Sequence, residues 1–324
     1  MNSEFEASSR SIPANDPDPA RALSSWGGTR HVIQRVSVGV NRSVWKVSED
    51  TWLTATQDRH LDAVQNEVLL LDQLSNRKCP VSTPRVVLTS TGEAIVKEGG
   101  WLFWLTENLA GVSPDPRDEN QYGPIARSLA NLHSWLKLQH DLHVVSPDSA
   151  LSWIDKANEI CDDPVLAFKP AQISTIRAAS AAVRGQVISL SADRQLIHGD
   201  PSHPNLVFQG RSGATVGFLD WESARLDSPL SDLAVVAQTI LFRSGAKDAA
   251  ALLFGFLSEY ERHADCSYSL EEVACFLVAA KLESVAHHGR KLFFGNGDPA
   301  LVASQPAKVS AALRLLQTAQ KESR

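Results

Sequence analysis

Residues 196–234 read LIHGDPSHPNLVFQGRSGATVGFLDWESARLDSPLSDLA. Apolar Leu196 and Ile197 form a strand end that delivers His198, Gly199 and Asp200 into a loop closed by Pro201 and Pro204. Residues 206–208 are a second short strand, 210–213 a turn, and 216–219 a third strand that delivers Asp220. A hairpin of this length brings Asp200, Asn205 and Asp220 to one end of the sheet. Two carboxylates and a carboxamide gathered there make a hard-oxygen site suited to Mg²⁺, which keeps water positions open for a phosphate.

Outward from this block the chain changes character on its two sides. Toward the N-terminus, VIQRVSVGVNRSVWKV and TWLTATQ are β-branched and aromatic runs separated by Ser48-Glu49-Asp50. Leu61, Val64, Val68 and Leu71 then fall on one helical stripe. Strand patterns return in RVVLTS, EAIVKEGG and WLFWLTENL. Toward the C-terminus the pattern is helical, with apolar stripes such as Ile125, Leu129, Leu132 and Leu136. The expected architecture is α+β, with a small β-rich N-terminal lobe over residues 25–108 and a larger, mostly helical lobe over 109–324. Residues 1–24 lack hydrophobic periodicity and are expected to be a disordered leader.

Composition sets outer limits. Of 324 residues, 43% are hydrophobic, enough for a sizeable core, and 31 basic against 37 acidic residues give a formal charge of −6. Nucleic-acid surfaces carry clustered positive charge, so no nucleic-acid partner is expected. No apolar run reaches the ~18–20 residues of a membrane span, and the first 25 residues lack a signal-peptide core. Cys79, Cys161, Cys266 and Cys275 form no CxxC pair, which fits a reducing cytoplasm better than a disulfide framework. Nothing in the sequence sets the oligomeric state.

The 196–234 block resembles the catalytic core of the aminoglycoside phosphotransferase family, whose fold is similar to that of protein kinases. The family pattern is H-x-D-x-x-x-x-N, then an apolar strand ending in Asp. His198, Asp200 and Asn205 match the first element; Leu219, Asp220, Trp221 and Glu222 match the second; Pro229 and Asp232-Leu233-Ala234 match the structural tail. The resemblance spans roughly residues 32–240 and implies a two-lobed, protein-kinase-like fold. It implies a kinase that moves the γ-phosphoryl group of ATP or GTP to a small-molecule hydroxyl. Asp200 would then be the catalytic base, Asn205 and Asp220 the Mg²⁺ ligands, and His198 a structural hydrogen-bonding residue. Gly39, Asn41 and Ser43 would sit at the turn of a nucleotide-positioning loop. Glu67 resembles the helix glutamate that pairs with the phosphate-binding lysine, and backbone groups near Glu107–Leu109 would meet the nucleobase edge. The family's acceptors include aminoglycosides, other antibiotics, amino alcohols and sugars.

One departure separates this chain from the pattern. Ala55 aligns with the strand position where the family places a lysine or arginine, and Lys46 or Lys97 stand as substitutes on neighbouring strands. A lysine restored at Ala55 is expected to strengthen nucleotide binding if Glu67 lies within its reach. The same departure leaves open a non-catalytic, nucleotide-binding regulatory protein. A third reading takes His198, Asp200 and His203 as H-x-D-x-x-H metal ligands of a hydrolase.

Overall fold

The computed structural model describes residues 16–27, 34–39, 42–57, 60–107, 109–210, 215–295 and 297–322. The chain divides into two compact units, one within Met1–Val68 and Pro84–Asn108, the other within Leu69–Thr83 and Leu109–Arg324.

In the first unit, β1 (Gln34–Gly39), β2 (Arg42–Lys46), β3 (Thr51–Gln57), β4 (Arg85–Val87), β5 (Val96–Glu98) and β6 (Trp101–Glu107) build an antiparallel sheet. The order is β1-β2-β3-β6-β4, with β5 also paired to β6. Successive side chains of a strand point to opposite faces, so register decides what each residue meets. Leu53 pairs with Leu105 and Ala55 with Phe103 on one face; Thr54 pairs with Trp104 and Thr56 with Leu102 on the other. The first face packs on Ala22, Leu23 and Trp26. The second packs on Val64 and Val68 of α2 (Leu61–Asn76), the stripe expected from the sequence.

Part of the expected leader is ordered. Pro19–Leu23 is a helix, α1, capped by the Asp18 side chain with Pro19 in its first turn. Ala22 and Leu23 are buried, and the Trp26 indole donates to the Val87 carbonyl at 2.7 Å. Five residues are too few to show a helical period, so composition alone suggested disorder. Residues 1–15 lie outside the described residues.

The second unit is mostly helical: α3 (Tyr122–Leu136), α4 (Ala150–Ile160), α5 (Pro170–Leu190), α6 (Leu230–Arg243), α7 (Ala249–Glu261), α8 (Leu270–Phe293) and α9 (Pro299–Glu322). The long α8 packs against α4, α5, α6 and α9, which accounts for its near-continuous burial from Val273 to Ala279. Two short antiparallel ribbons interrupt the helices. One pairs β7 (Gln195–Ile197) with β10 (Arg225–Asp227), and the other pairs β8 (Leu206–Gln209) with β9 (Thr215–Phe218). The single three-strand block expected from the sequence is therefore two ribbons, because β7 pairs with β10 rather than β8. The polarity of β10 is inverted, with Arg225 and Asp227 buried and Leu226 exposed, so an apolar pattern gave no sign of it.

Candidate active site

The loop after β7 is fixed from below by one buried carboxylate. Asp232, in the first turn of α6, accepts from the backbone N–H of His198 at 3.0 Å and of Gly199 at 2.8 Å. Its Oδ2 also accepts from His133 Nε2 at 3.0 Å, and His133 Nδ1 lies 2.8 Å from the Tyr260 hydroxyl. Burial pushes the Asp232 carboxyl up, but the hydrogen bonds from His133 and the Gly199 N–H outweigh it, and the net shift is downward. Gly199 has φ +87°, and a Cβ there would fall 2.0 Å from the Ser223 carbonyl oxygen, so the loop admits only glycine at this point.

His198 ties the two motif segments together. Its Nε2 donates to the Leu219 carbonyl at 2.8 Å, and its Nδ1 accepts from the Asp200 N–H at 3.3 Å. The ring also packs edge-on against Trp221, with centroids 4.6 Å apart. Both ring nitrogens are engaged, which is the structural role expected and leaves none for a metal.

Asp200 and Asn205 are joined directly. Asn205 Nδ2 donates at 3.0 Å to both the backbone carbonyl and Oδ2 of Asp200. The Leu219 N–H donates to the Asn205 carbonyl at 2.8 Å, which brings the end of β9 to the loop that carries Asp200. Asp220 follows in a left-handed conformation, φ 53° and ψ 76°, a strained geometry for a non-glycine residue and one that concentrates at functional sites. Burial raises the Asp200 carboxyl above its ordinary value; His198 and the Ser202 hydroxyl oppose the shift, while Asp220 and Asp232 add to it. Neighbouring carboxylates of this kind are relieved by a cation.

The donor set fits Mg²⁺ shared with phosphate. With Nδ2 of Asn205 turned to Asp200, its Oδ1 is the atom left to a hard cation. Among the described residues no cluster of three or more His, Cys, Asp or Glu is arranged to hold a metal. His203, required by the hydrolase reading, is buried against Tyr122 with neither ring nitrogen hydrogen-bonded, and burial first, then Arg243, push its pKa down to about 4.

Arg225 and Glu283 were not found from the sequence. Arg225 donates to the Gly199 carbonyl at 3.2 Å and to Asp227 at 3.2 Å, and lies 3.6 Å from Glu283 on α8. Asp227 in turn accepts from the Ala150 N–H at the start of α4. Arg225 thus braces the loop that carries Asp200 against two helices. No local pattern announces this, because its partners are scattered along the chain.

In the first unit, Gly39 ends β1 and Asn41 lies outside the described residues. Ser43 is inside β2 rather than at a turn; it pairs with Ala55, and its hydroxyl accepts from Arg35 at 3.1 Å. Glu107 ends β6 with its carboxylate held by Arg85 at 2.9 and 2.6 Å. Leu109 belongs to the second unit and packs so close to Gly217 that a Cβ there would lie 2.6 Å from its side chain. Glu67 is buried on α2 and paired with Arg42, whose Nη1 and Nη2 donate to it at 3.1 and 2.6 Å.

That ion pair corrects the expectation for Ala55. Ala55 points into the apolar cluster with Trp26, Trp45 and Phe103, on the face of the sheet opposite α2. Adjacent residues of a strand lie on opposite faces, so a side chain at position 55 is turned away from Glu67. Ala55→Lys is therefore expected to destabilise the protein by at least about 3 kcal/mol, since it buries an unpaired ammonium. Urea unfolding of the two proteins checks this.

The sequence profile of the phosphotransferase enzyme family matches residues 32–266. A mouse (Mus musculus) protein described as acyl-CoA dehydrogenase family member 10 is 26% identical over 184 residues, 53% of this chain and 16% of that protein. The chain thus spans about a sixth of that relative. Among solved structures, choline kinase LicA from Streptococcus pneumoniae aligns with a TM-score of 0.67 at 17% identity, covering 92% of this chain and 97% of the other. A microcompartment-associated aminopropanol kinase aligns with a TM-score of 0.69 at 15% identity, with the same coverages of 92% and 97%. At these identities the likeness is one of fold.

Proposed function

The chain belongs to the phosphotransferase enzyme family, and from that premise we propose that it transfers the γ-phosphoryl group of ATP or GTP to the hydroxyl of a small molecule. The observation that carries the reading is the junction of Asp200, Asn205 and Asp220 on two loops joined by His198 and Asn205. In this reading Asp200 accepts the proton of the substrate hydroxyl, the freed oxygen bonds to the γ-phosphorus, and the bond from that phosphorus to the β-bridging oxygen breaks, leaving a nucleoside diphosphate. Asn205 and Asp220 would hold Mg²⁺, which supplies charge neutralisation for the transferring phosphoryl group. Asp232 and Arg225 keep the loop in place through its backbone, so that Asp200 needs no rearrangement at the moment of reaction. Gly39, Asn41, Ser43, Glu107 and Leu109 are the proposed contacts to the donor nucleotide, with Glu67 acting through its cation.

Neither a nucleic acid nor a membrane is proposed as a partner; among the described residues no helix is long and apolar enough to cross a bilayer. All four cysteines are free, which fits a reducing compartment such as the cytoplasm.

Because two protein side chains make an incomplete Mg²⁺ shell, metal and nucleotide should bind together. Calorimetry should find weak Mg²⁺ binding to the protein alone, tightening by roughly 10–100-fold once nucleotide is present, with the reciprocal gain for nucleotide. Asp220→Asn should abolish most of that coupling. Tight Mg²⁺ or Zn²⁺ binding that ignores nucleotide would contradict the reading.

A further inference from the structure

Glu67 is 3% exposed, and a carboxylate so buried needs a matched cation. Arg42 supplies it with two parallel N–H donors, the geometry that fixes both the position and the plane of a guanidinium. The guanidinium also lies over the Trp104 ring, 5.1 Å from its centroid, and the Arg42 side chain remains 16% exposed. Arg42 opens β2 opposite Gly39, at the end of the β1–β2 ribbon where backbone amides are expected to meet phosphate. Ser43 pairs with Ala55, so one step along the same ladder Arg42 stands across from Thr56. Thr56 shares the α2 face with Leu102, whereas Ala55 faces away. β3 therefore presents threonines, not a cation, on the face that carries Glu67.

We propose that Arg42 is the cation that grips the donor's phosphates in this chain, delivered by β2 rather than β3, with Glu67 as the positioning residue that holds its guanidinium. The proposal rests on the phosphotransferase reading above and adds a residue that the family pattern does not place. A guanidinium fork suits phosphate oxygens as well as carboxylate, and one anchored by a buried acid meets its ligand with little ordering left to do. Lys46, four residues further along β2, lies about 13 Å of strand away from this point.

The test is calorimetry on the full chain with MgATP, MgGTP and the corresponding nucleosides, using Arg42→Met, Arg42→Lys and Arg42→Met/Glu67→Leu. The last variant removes both charges and so leaves no unpaired acid in the core. Arg42→Met and the double variant should bind the preferred triphosphate roughly 10–100-fold more weakly, with nucleoside affinity unchanged. Arg42→Lys should fall between, because an ammonium lacks the fork. A relocated cation, Arg42→Ala/Thr56→Lys, should recover most of the loss. If the folded double variant binds triphosphate like the wild type, or loses nucleoside and triphosphate alike, Arg42 is only a structural partner of Glu67 and the proposal falls while the kinase reading stands. If the wild type binds neither triphosphate, both fall together.

Discussion

Asp200→Asn is expected to lower turnover by roughly 10²–10⁴, the range for removal of a general base, while the protein stays folded and still binds nucleotide. The substitution keeps the shape of the side chain and an oxygen for the 3.0 Å bond from Asn205 Nδ2, and it leaves the second bond, to the Asp200 backbone carbonyl, untouched. It removes the capacity to take a proton at the carboxylate. The readouts are the rate of substrate-dependent nucleotide consumption, the thermal midpoint and nucleotide affinity, compared with wild type. Near-full turnover in this variant would remove Asp200 from the chemistry.

A loss of comparable weight, in stability rather than rate, is expected at Asp232. This carboxylate is fully buried and accepts from the backbone amides of His198 and Gly199 and from His133. Asp232→Ala orphans all three donors and should cost about 3–5 kcal/mol, the range for breaking a buried charged network from one side. The sign of the pH dependence follows from the shift. The folded-state pKa of Asp232 lies below its ordinary value of 3.8. Its contribution is therefore present in full above that value and is lost as pH falls through the depressed folded pKa. Urea unfolding followed by tryptophan fluorescence should show the wild type losing stability steeply in acid, and Asp232→Asn starting lower with a shallower acid loss. Equal acid slopes would mean that Asp232 does not carry the network.

The parts of this molecule that were legible in the sequence are those specified locally. Proline and glycine bracket the loop around Asp200, short apolar runs flank it, and the stripe of Val64 and Val68 gives α2 its register against the sheet. What stayed hidden depends on register or on distant partners. The ribbon of β7 with β10 escaped because its buried residues are an arginine and an aspartate, which read as exposed. The short helix over Pro19–Leu23 escaped because five residues carry no period. Arg42 escaped because its pairing with Glu67 follows from which face of β2 it occupies, and the sequence does not show that Ala55 faces away from α2. Glu67 does have a cationic partner, Arg42, supplied by β2 rather than β3.

The central claim is that a phosphoryl group moves from nucleotide to a small hydroxyl compound, and it is tested by following the group itself. With γ-labelled ATP and GTP, Mg²⁺ and a panel of amino alcohols, aminoglycosides and sugars, the label should appear on at least one hydroxyl compound, with one nucleoside diphosphate formed per transfer. The same transfer should fall by roughly 10²–10⁴ in Asp200→Asn. Label released only as inorganic phosphate, or transfer that persists undiminished in Asp200→Asn, would contradict it.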